Sequence, residues 1–155
     1  MTSKLHVTTD VPNEIHMTRT FDAPRRLVIR AMTEPALLKR WLGGKRATVV
    51  SAEVDFRVGG RYRYEFETVG KRERFAFGGE FREVGEDRIV HTEAFDGHPG
   101  ESLVITTYTE RDGVTTMHHV IRFESQAVRD MVLATGMANG AGESYDVLEQ
   151  LLASQ

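Results

Sequence analysis

Proton-transfer chemistry in this chain would have to rest on six histidines, four tyrosines and the carboxylates, because the sequence contains no cysteine. That absence removes a disulfide scaffold, a thiolate metal site and a thiol nucleophile together. The most informative single residue is His119. Met117, His119, Ile121 and Phe123 share one parity of a strand-like stretch, so an imidazole stands in an otherwise apolar line facing the interior. It is either a polar anchor or acid/base group inside a cavity, or a core histidine bonded to a neighbour. No second chemical group is fixed beside it by spacing, so the core reading weighs more. His91, between Ile89 and Phe95, poses the same choice. A metal would need three or four converging ligands, whereas His6, His16, His91, His98, His118 and His119 are scattered, or adjacent on strands where neighbours point oppositely. No metal or cofactor is expected.

The hydroxyls of Tyr62, Tyr64, Tyr108 and Tyr145 could orient a ligand from cavity walls, although tyrosines in strands commonly serve packing alone. Trp41 would form a cavity rim or lock a helix in place. Other chemistries find no support. No Gly-x-Ser-x-Gly elbow supplies a hydrolase nucleophile, and GMANGAG lacks the Lys-Ser/Thr and preceding strand of a phosphate loop. Arg57, Arg61, Arg63, Lys71, Arg72 and Arg74 are diluted by Glu65, Glu67, Glu73 and Glu80, and the chain's formal net charge is −3. A nucleic-acid partner is therefore not expected. The N-terminal stretch has no apolar signal core and the longest apolar runs are short, so membrane insertion is not expected and the cytoplasm is the default compartment.

The elements that must carry these residues follow from the pattern. Leu5 to Thr9 reads as an edge strand and EIHMTRTF as a strand with Ile15, Met17 and Phe21 inward. Asp22 is placed to cap a helix beginning at Ala23-Pro24, and Thr33-Glu34-Pro35 starts a second helix that Gly43-Gly44 stops. A long meander follows. Thr48, Val50, Ala52, Val54 and Phe56 are expected on one face, and RYRYEFET puts Tyr62, Tyr64 and Phe66 opposite charged neighbours. Phe75, Phe77 and Phe81 extend the aromatic wall, Gly78-Gly79 suggests a bulge or close backbone approach, and Asp112-Gly113 signals a hairpin. Seven of the 13 aromatic residues lie between Phe56 and Phe81. Ser125 caps a helix, Gly136 breaks it, and Met137, Ala141, Tyr145, Leu148 and Leu152 form the stripe of a final helix. Gly140 and Gly142 in that helix suggest close packing. The 155 residues divide into an arm or edge strand over 1–13 and one domain over 14–155. The fold class is α+β, a curved antiparallel sheet of about six to seven strands around the C-terminal helix.

Several strings together are recognisable. EIHMTRTFDAPRRLV, AMTEPALLKRWL, DFRVGGRYRY, IVHTEAF and ATGMANGAGESYDVLEQLLAS resemble bacterial members of the family related to the C-terminal domain of the activator of the heat-shock-protein-90 ATPase. That family lies within the START and Bet v-type helix-grip superfamily. The resemblance implies a hydrophobic cavity between the sheet and the last helix. Its walls would be Tyr62, Tyr64, Phe66, Phe77 and Phe81, with His91, Tyr108 and His119 as anchors and Trp41, Met137, Ala141 and Tyr145 from the helices. Similar sequences often carry a second aromatic where this one has Leu42, and an aromatic where it has Ala141, which implies a roomier cavity unless other residues fill it. The expected partner is a small hydrophobic or amphipathic molecule, bound without a defined reaction. One alternative is a cyclase- or dehydratase-type enzyme using a cavity histidine. Another is a module activating a chaperone ATPase, although the eukaryotic co-chaperone has an additional N-terminal domain. An exposed edge strand leaves a homodimer possible.

Overall fold

The period-2 stretches form an eight-stranded antiparallel sheet in a computed structural model that describes residues 4–155, so the first three residues of the expected arm lie outside the described residues. The strands are β1 (His6–Thr8), β2 (Glu14–Phe21), β3 (Ala47–Val54), β4 (Arg61–Thr68), β5 (Arg74–Val84), β6 (Arg88–Phe95), β7 (Ser102–Arg111) and β8 (Val114–Arg122). Helices α1 (Arg25–Thr33) and α2 (Pro35–Trp41) follow β2, and α3 (Gln126–Ala134) and α4 (Met137–Ala153) end the chain. The strand order β1-β2-β8-β7-β6-β5-β4-β3 is a meander closed by β2 returning beside β8. This is the α+β helix-grip architecture expected, with β1 on one edge raising the strand count to eight.

Register aligns the inward residues into ranks across the sheet. Ile15, Ile121, Val104, His91 and Phe81 are successive partners from β2 to β5. Met17, His119, Thr106 and Ile89 form the next rank, and Arg19, Met117 and Tyr108 the one beyond. Against the last rank α4 sets Tyr145, Leu148, Leu151 and Leu152, packed with Phe21, Val28, Ala31 and Trp41. A second apolar cluster gathers Ile15, Met17, Val104, Ile121 and Phe123 under α3, and a third joins Ala47, Val49 and Phe66.

Four local expectations are corrected. In β3 the buried residues are Ala47 and Val49, because a register shift between Val49 and Ser51 inverts the parity halfway along the strand. Phe56 lies beyond that strand, 37% exposed, with its ring edge-on to Phe81. Asp22 does not cap α1; the Glu110 carboxylate, 85 residues away, accepts from the Arg25 amide at 2.6 Å. Gly140 has no atom within 4 Å of where a Cβ would stand and Gly142 meets only Leu5 at 3.9 Å, so close packing does not explain either glycine.

Other signals hold. The Ser125 hydroxyl accepts from the Val128 amide at 3.2 Å, Pro35 opens α2, and Gly43, Gly44 and Gly136 adopt left-handed conformations where helices stop. A Cβ at Gly79 would stand 2.0 Å from the Thr92 carbonyl oxygen, so glycine is what lets β5 and β6 approach there. The guanidinium of Arg129, buried within α3, donates to the carbonyls of Thr9 and Val11, each at 3.0 Å, and to Glu14 at 3.4 Å, fastening the helix to the turn between β1 and β2.

Candidate functional site

The sheet brings His91 and His119 to its concave face and gives each a partner. The Tyr62 hydroxyl donates its one proton to the Thr92 carbonyl at 2.6 Å, and His91 Nδ1, 3.1 Å from that same carbonyl and 3.0 Å from the Tyr62 oxygen, must therefore carry a proton to donate to them. The hydrogen-bond network thus assigns the Nδ1–H tautomer and leaves Nε2 of His91 as an acceptor. His119 Nδ1 lies 2.9 Å from the Thr106 hydroxyl across the β7–β8 ladder. Loss of solvation pushes the His119 pKa down to about 3 and also lowers that of His91, so both imidazoles are neutral near pH 7.

The aromatic residues of β4 and β5 form a continuous wall. Tyr62 and Tyr64 have ring centroids 5.1 Å apart, Tyr64 stands edge-on to Phe77 at 5.6 Å, and Phe66 stacks on Phe77 at 5.3 Å. Phe81 leans on Tyr62 at 5.4 Å, and Phe95 continues the wall beyond Phe77 at 4.9 Å. The other aromatic candidates sit in the packed part of the molecule. Trp41 is buried, donates its indole N–H to the Ala31 carbonyl at 2.8 Å and stacks on Tyr145 at 5.9 Å, which is the geometry of a helix lock. The Tyr108 hydroxyl meets Met32 Sδ at 3.1 Å. Met137 and Ala141, in the first turns of α4, remain half-buried.

Two inward polar residues were not among the sequence candidates. Arg19 is fully buried on β2 and pairs with Asp146 at 2.8 Å and Glu149 at 3.6 Å, stitching the sheet to α4. Glu93 follows His91 on the same face of β6, opposite Ser102. Its carboxylate has no hydrogen bond or ion pair among the described residues, and loss of solvation alone pushes its pKa up to about 7. The signal was available, since Ile89, His91, Glu93 and Phe95 share one parity. Glu93, His91, His119 and Tyr64 are all strongly desolvated and yet only half-buried.

The convex face carries a separate chain of polar groups. Arg122 contacts Glu14 at 2.7 Å, Glu14 contacts His16 Nε2 at 2.8 Å, and His16 Nδ1 lies 3.1 Å from His118 Nε2. Among the described residues no three His, Cys, Asp or Glu side chains converge as a metal site. Two open surface depressions of about 570 and 600 Å³, one between α1 and Gly85–Glu86 and one beside the β7–β8 hairpin, are both remote from His91 and His119. No helix among the described residues is long and apolar enough to cross a membrane.

A family profile described as Activator of Hsp90 ATPase homolog 1-like protein matches residues 22–153, the whole span from α1 to the end of α4. The chain belongs to that family. The Activator of Hsp90 ATPase homolog 1-like match accords with the motifs around Asp22-Ala23-Pro24 and Gly136-Met137. Solved structures agree on the fold. A protein from Rhodobacter sphaeroides superposes with a TM-score of 0.92 at 24% identity, covering 98% of this chain and 99% of that one. Protein Ms6760 from Mycobacterium smegmatis gives 0.86 at 24% identity, covering 96% and 97%. Protein CV1439 from Chromobacterium violaceum gives 0.78 at 28% identity, covering 92% and 98%. No curated protein matches the sequence.

Proposed function

We propose that this chain binds a small hydrophobic or amphipathic molecule between the concave face of the sheet and the first turns of α4. The observation that carries this reading is that Glu93, His91 and His119 stand half-buried and strongly desolvated on the concave face, while the helix covering that face opens with Met137 to Gly142, a segment of little bulk. Two further features support it. The second and third apolar clusters share no residue, and the position on β6 that would bridge them holds a carboxylate instead of a hydrocarbon. Phe75 and Phe95 stand 40% and 45% exposed at that same end of the sheet, offering an aromatic approach to the interior. Apolar walls with a few placed polar groups are what small-molecule sites require.

Native mass spectrometry of gently purified protein, followed by organic extraction, tests the reading. A stoichiometric adduct that exchanges with added amphiphiles, and is lost in Ala141→Trp while the fold persists, is the expected outcome. Absence of any retained or exchangeable molecule across a lipid and aromatic panel would overturn it.

A further inference from the structure

The polar chain on the convex face plays no part in ligand binding, and its hydrogen bonds fix where its protons lie. Arg122 Nε donates to Glu14 Oε2 at 2.7 Å, and this bond holds the Glu14 carboxyl ionised, below the usual carboxylate range. A carboxylate only accepts, so His16 Nε2, 2.8 Å from Oε1, carries a proton. In the neutral ring His16 Nδ1 is then bare, and the proton of its 3.1 Å contact belongs to His118 Nε2. His118 Nδ1 is left to accept from the Thr18 hydroxyl at 3.2 Å. This one arrangement satisfies every link from Arg122 to Thr18.

One added proton keeps the chain whole by reversing it. His16 becomes an imidazolium beside Glu14, its Nδ1 donates to His118 Nε2, and His118 Nδ1 donates to the Thr18 oxygen. A second proton finds no such arrangement, because it sets N–H against N–H at 3.1 Å. Burial and the charge on His16 both hold the His118 pKa below the ordinary imidazole value, in the same sense as the geometry. The surroundings offer little relief. Besides the pair itself, Lys4 and His6 stand on the β1 side, Glu14 on β2 and Arg122 on β8; β7 faces His118 with Thr107, and Arg88 of β6 beyond it is paired with Glu83. The β1–β2 turn adds Asp10, which makes no ion pair among the described residues. Glu14 is the one acid bonded to the group, and it already serves Arg122.

The element exposed to this charge is β1. It is three residues long, lies at the sheet edge and pairs with β2 alone, His6 opposite Thr18 and Thr8 opposite His16, two residues of the chain itself. Both ionisable groups of residues 4–8 are bases, so charge gained by the pair works against the strand. On the other face Val7, and Leu5 just before the strand, pack against the cluster of Ile15, Met17, Val104 and Ile121. Arg129 pins the carbonyls of Thr9 and Val11, so the arm ends at a fixed point.

We propose that β1 is an acid-released arm: a second proton on the His16–His118 pair breaks the chain at its centre, and the strand lifts from β2 about Thr9, uncovering the apolar cluster beneath it.

Hydrogen exchange of the full chain, read by NMR and corrected for intrinsic rates, tests this. Between pH 8 and pH 5 the protection of β1 amides is expected to fall at least about tenfold relative to the β4–β5 ladder, a factor of about ten for each unit by which the proton is resisted. The sign follows from His118, whose pKa lies below 6.5: its contribution is complete above 6.5 and is lost as pH falls through the lowered value. His118→Gln removes the second base and keeps an amide donor, and should hold β1 protection level over the same range, with the melting midpoint at pH 8 as the control for folding. His16→Gln should do the same, and carries the test if the first variant fails to fold. Imidazole nitrogen shifts should show His118 protonated at Nε2 at pH 8, and doubly protonated only where β1 protection has gone. Protection of β1 that stays constant to pH 5, or a loss as large in the variants as in the parent, overturns the proposal, as does a doubly protonated His118 beside an intact β1 ladder.

Discussion

The two ends of the concave face are built differently although one helix covers both. At the end near the β7–β8 hairpin, α4 presents Tyr145, Leu148, Leu151 and Leu152 to Phe21, Val28 and Met117, and Leu148 is fully buried. At the other end Met137 and Ala141 of the same helix pack against Ile15, Met17, Val104, Ile121 and Phe123, and Glu93 and His119 stand half-buried on the sheet. The first end supplies the apolar burial that holds the fold together. The second departs from it, with polar groups left where hydrocarbon would stabilise more. A protein keeps such a departure where the site does something.

The contrast is open to attack by substitution. Leu148→Ala should cost about 2 to 5 kcal/mol in denaturant unfolding, the range for a fully buried leucine that leaves a cavity. Ala141→Leu should cost less than about 1 kcal/mol, whereas in a filled core added methylenes cost about 1 to 3. Equal penalties at the two positions would erase the distinction.

The next effect is the pH dependence of stability. Glu93 has a folded-state pKa raised from 4.5 to about 7, so its favourable contribution is complete below pH 4.5 and is lost as pH rises through 7. At about 1.4 kcal/mol per unit the loss is on the order of 3 kcal/mol, and Glu93→Gln should remove it, leaving the variant more stable than the parent at pH 8. His119 acts in the opposite sense. With its pKa lowered to about 3, its contribution is complete above 6.5 and is lost as pH falls from there. The two slopes oppose each other between pH 4.5 and 6.5, so the falling limb above 6.5 is where Glu93 is seen alone. Imidazole NMR signals should accordingly show His119 without a titration step near 6.5. The smallest effect belongs to the surface. Arg63 grips Asp96 at 2.6 Å, but both are solvated, and Arg63→Ala should leave the melting midpoint unmoved within error.

What could be read from the chain alone tracks how local the signal is. Tyr62, Tyr64 and Phe66 alternate with charges over a few residues, Ser125 sits beside the amide it caps, and Asp112-Gly113 forms its turn without outside help. Signals that depend on distant chain were lost. The cap of α1 comes from Glu110 and not from Asp22, because a carboxylate arriving across the sheet leaves no mark near the helix. The inversion in β3 hides in Val49-Val50, where either valine can face inward until the bulge decides. Arg19 and Glu93 escaped for one shared reason. Both occupy inward parity, but a charged side chain in a strand ordinarily marks the wet face, and only the fold reveals that one is paired with α4 and the other is not.

The three carbonyls held by Arg129 also bear on kinetics. Lifting α3 from the β1–β2 turn would break all three bonds at once and leave those carbonyls without their donor, so α3 is held stiffly against that turn. Phe75 and Phe95, by contrast, are exposed rings that can rotate at little cost. Opening at α3 is therefore expected to be slow and concerted, whereas the exposed rings reorient without breaking any backbone hydrogen bond.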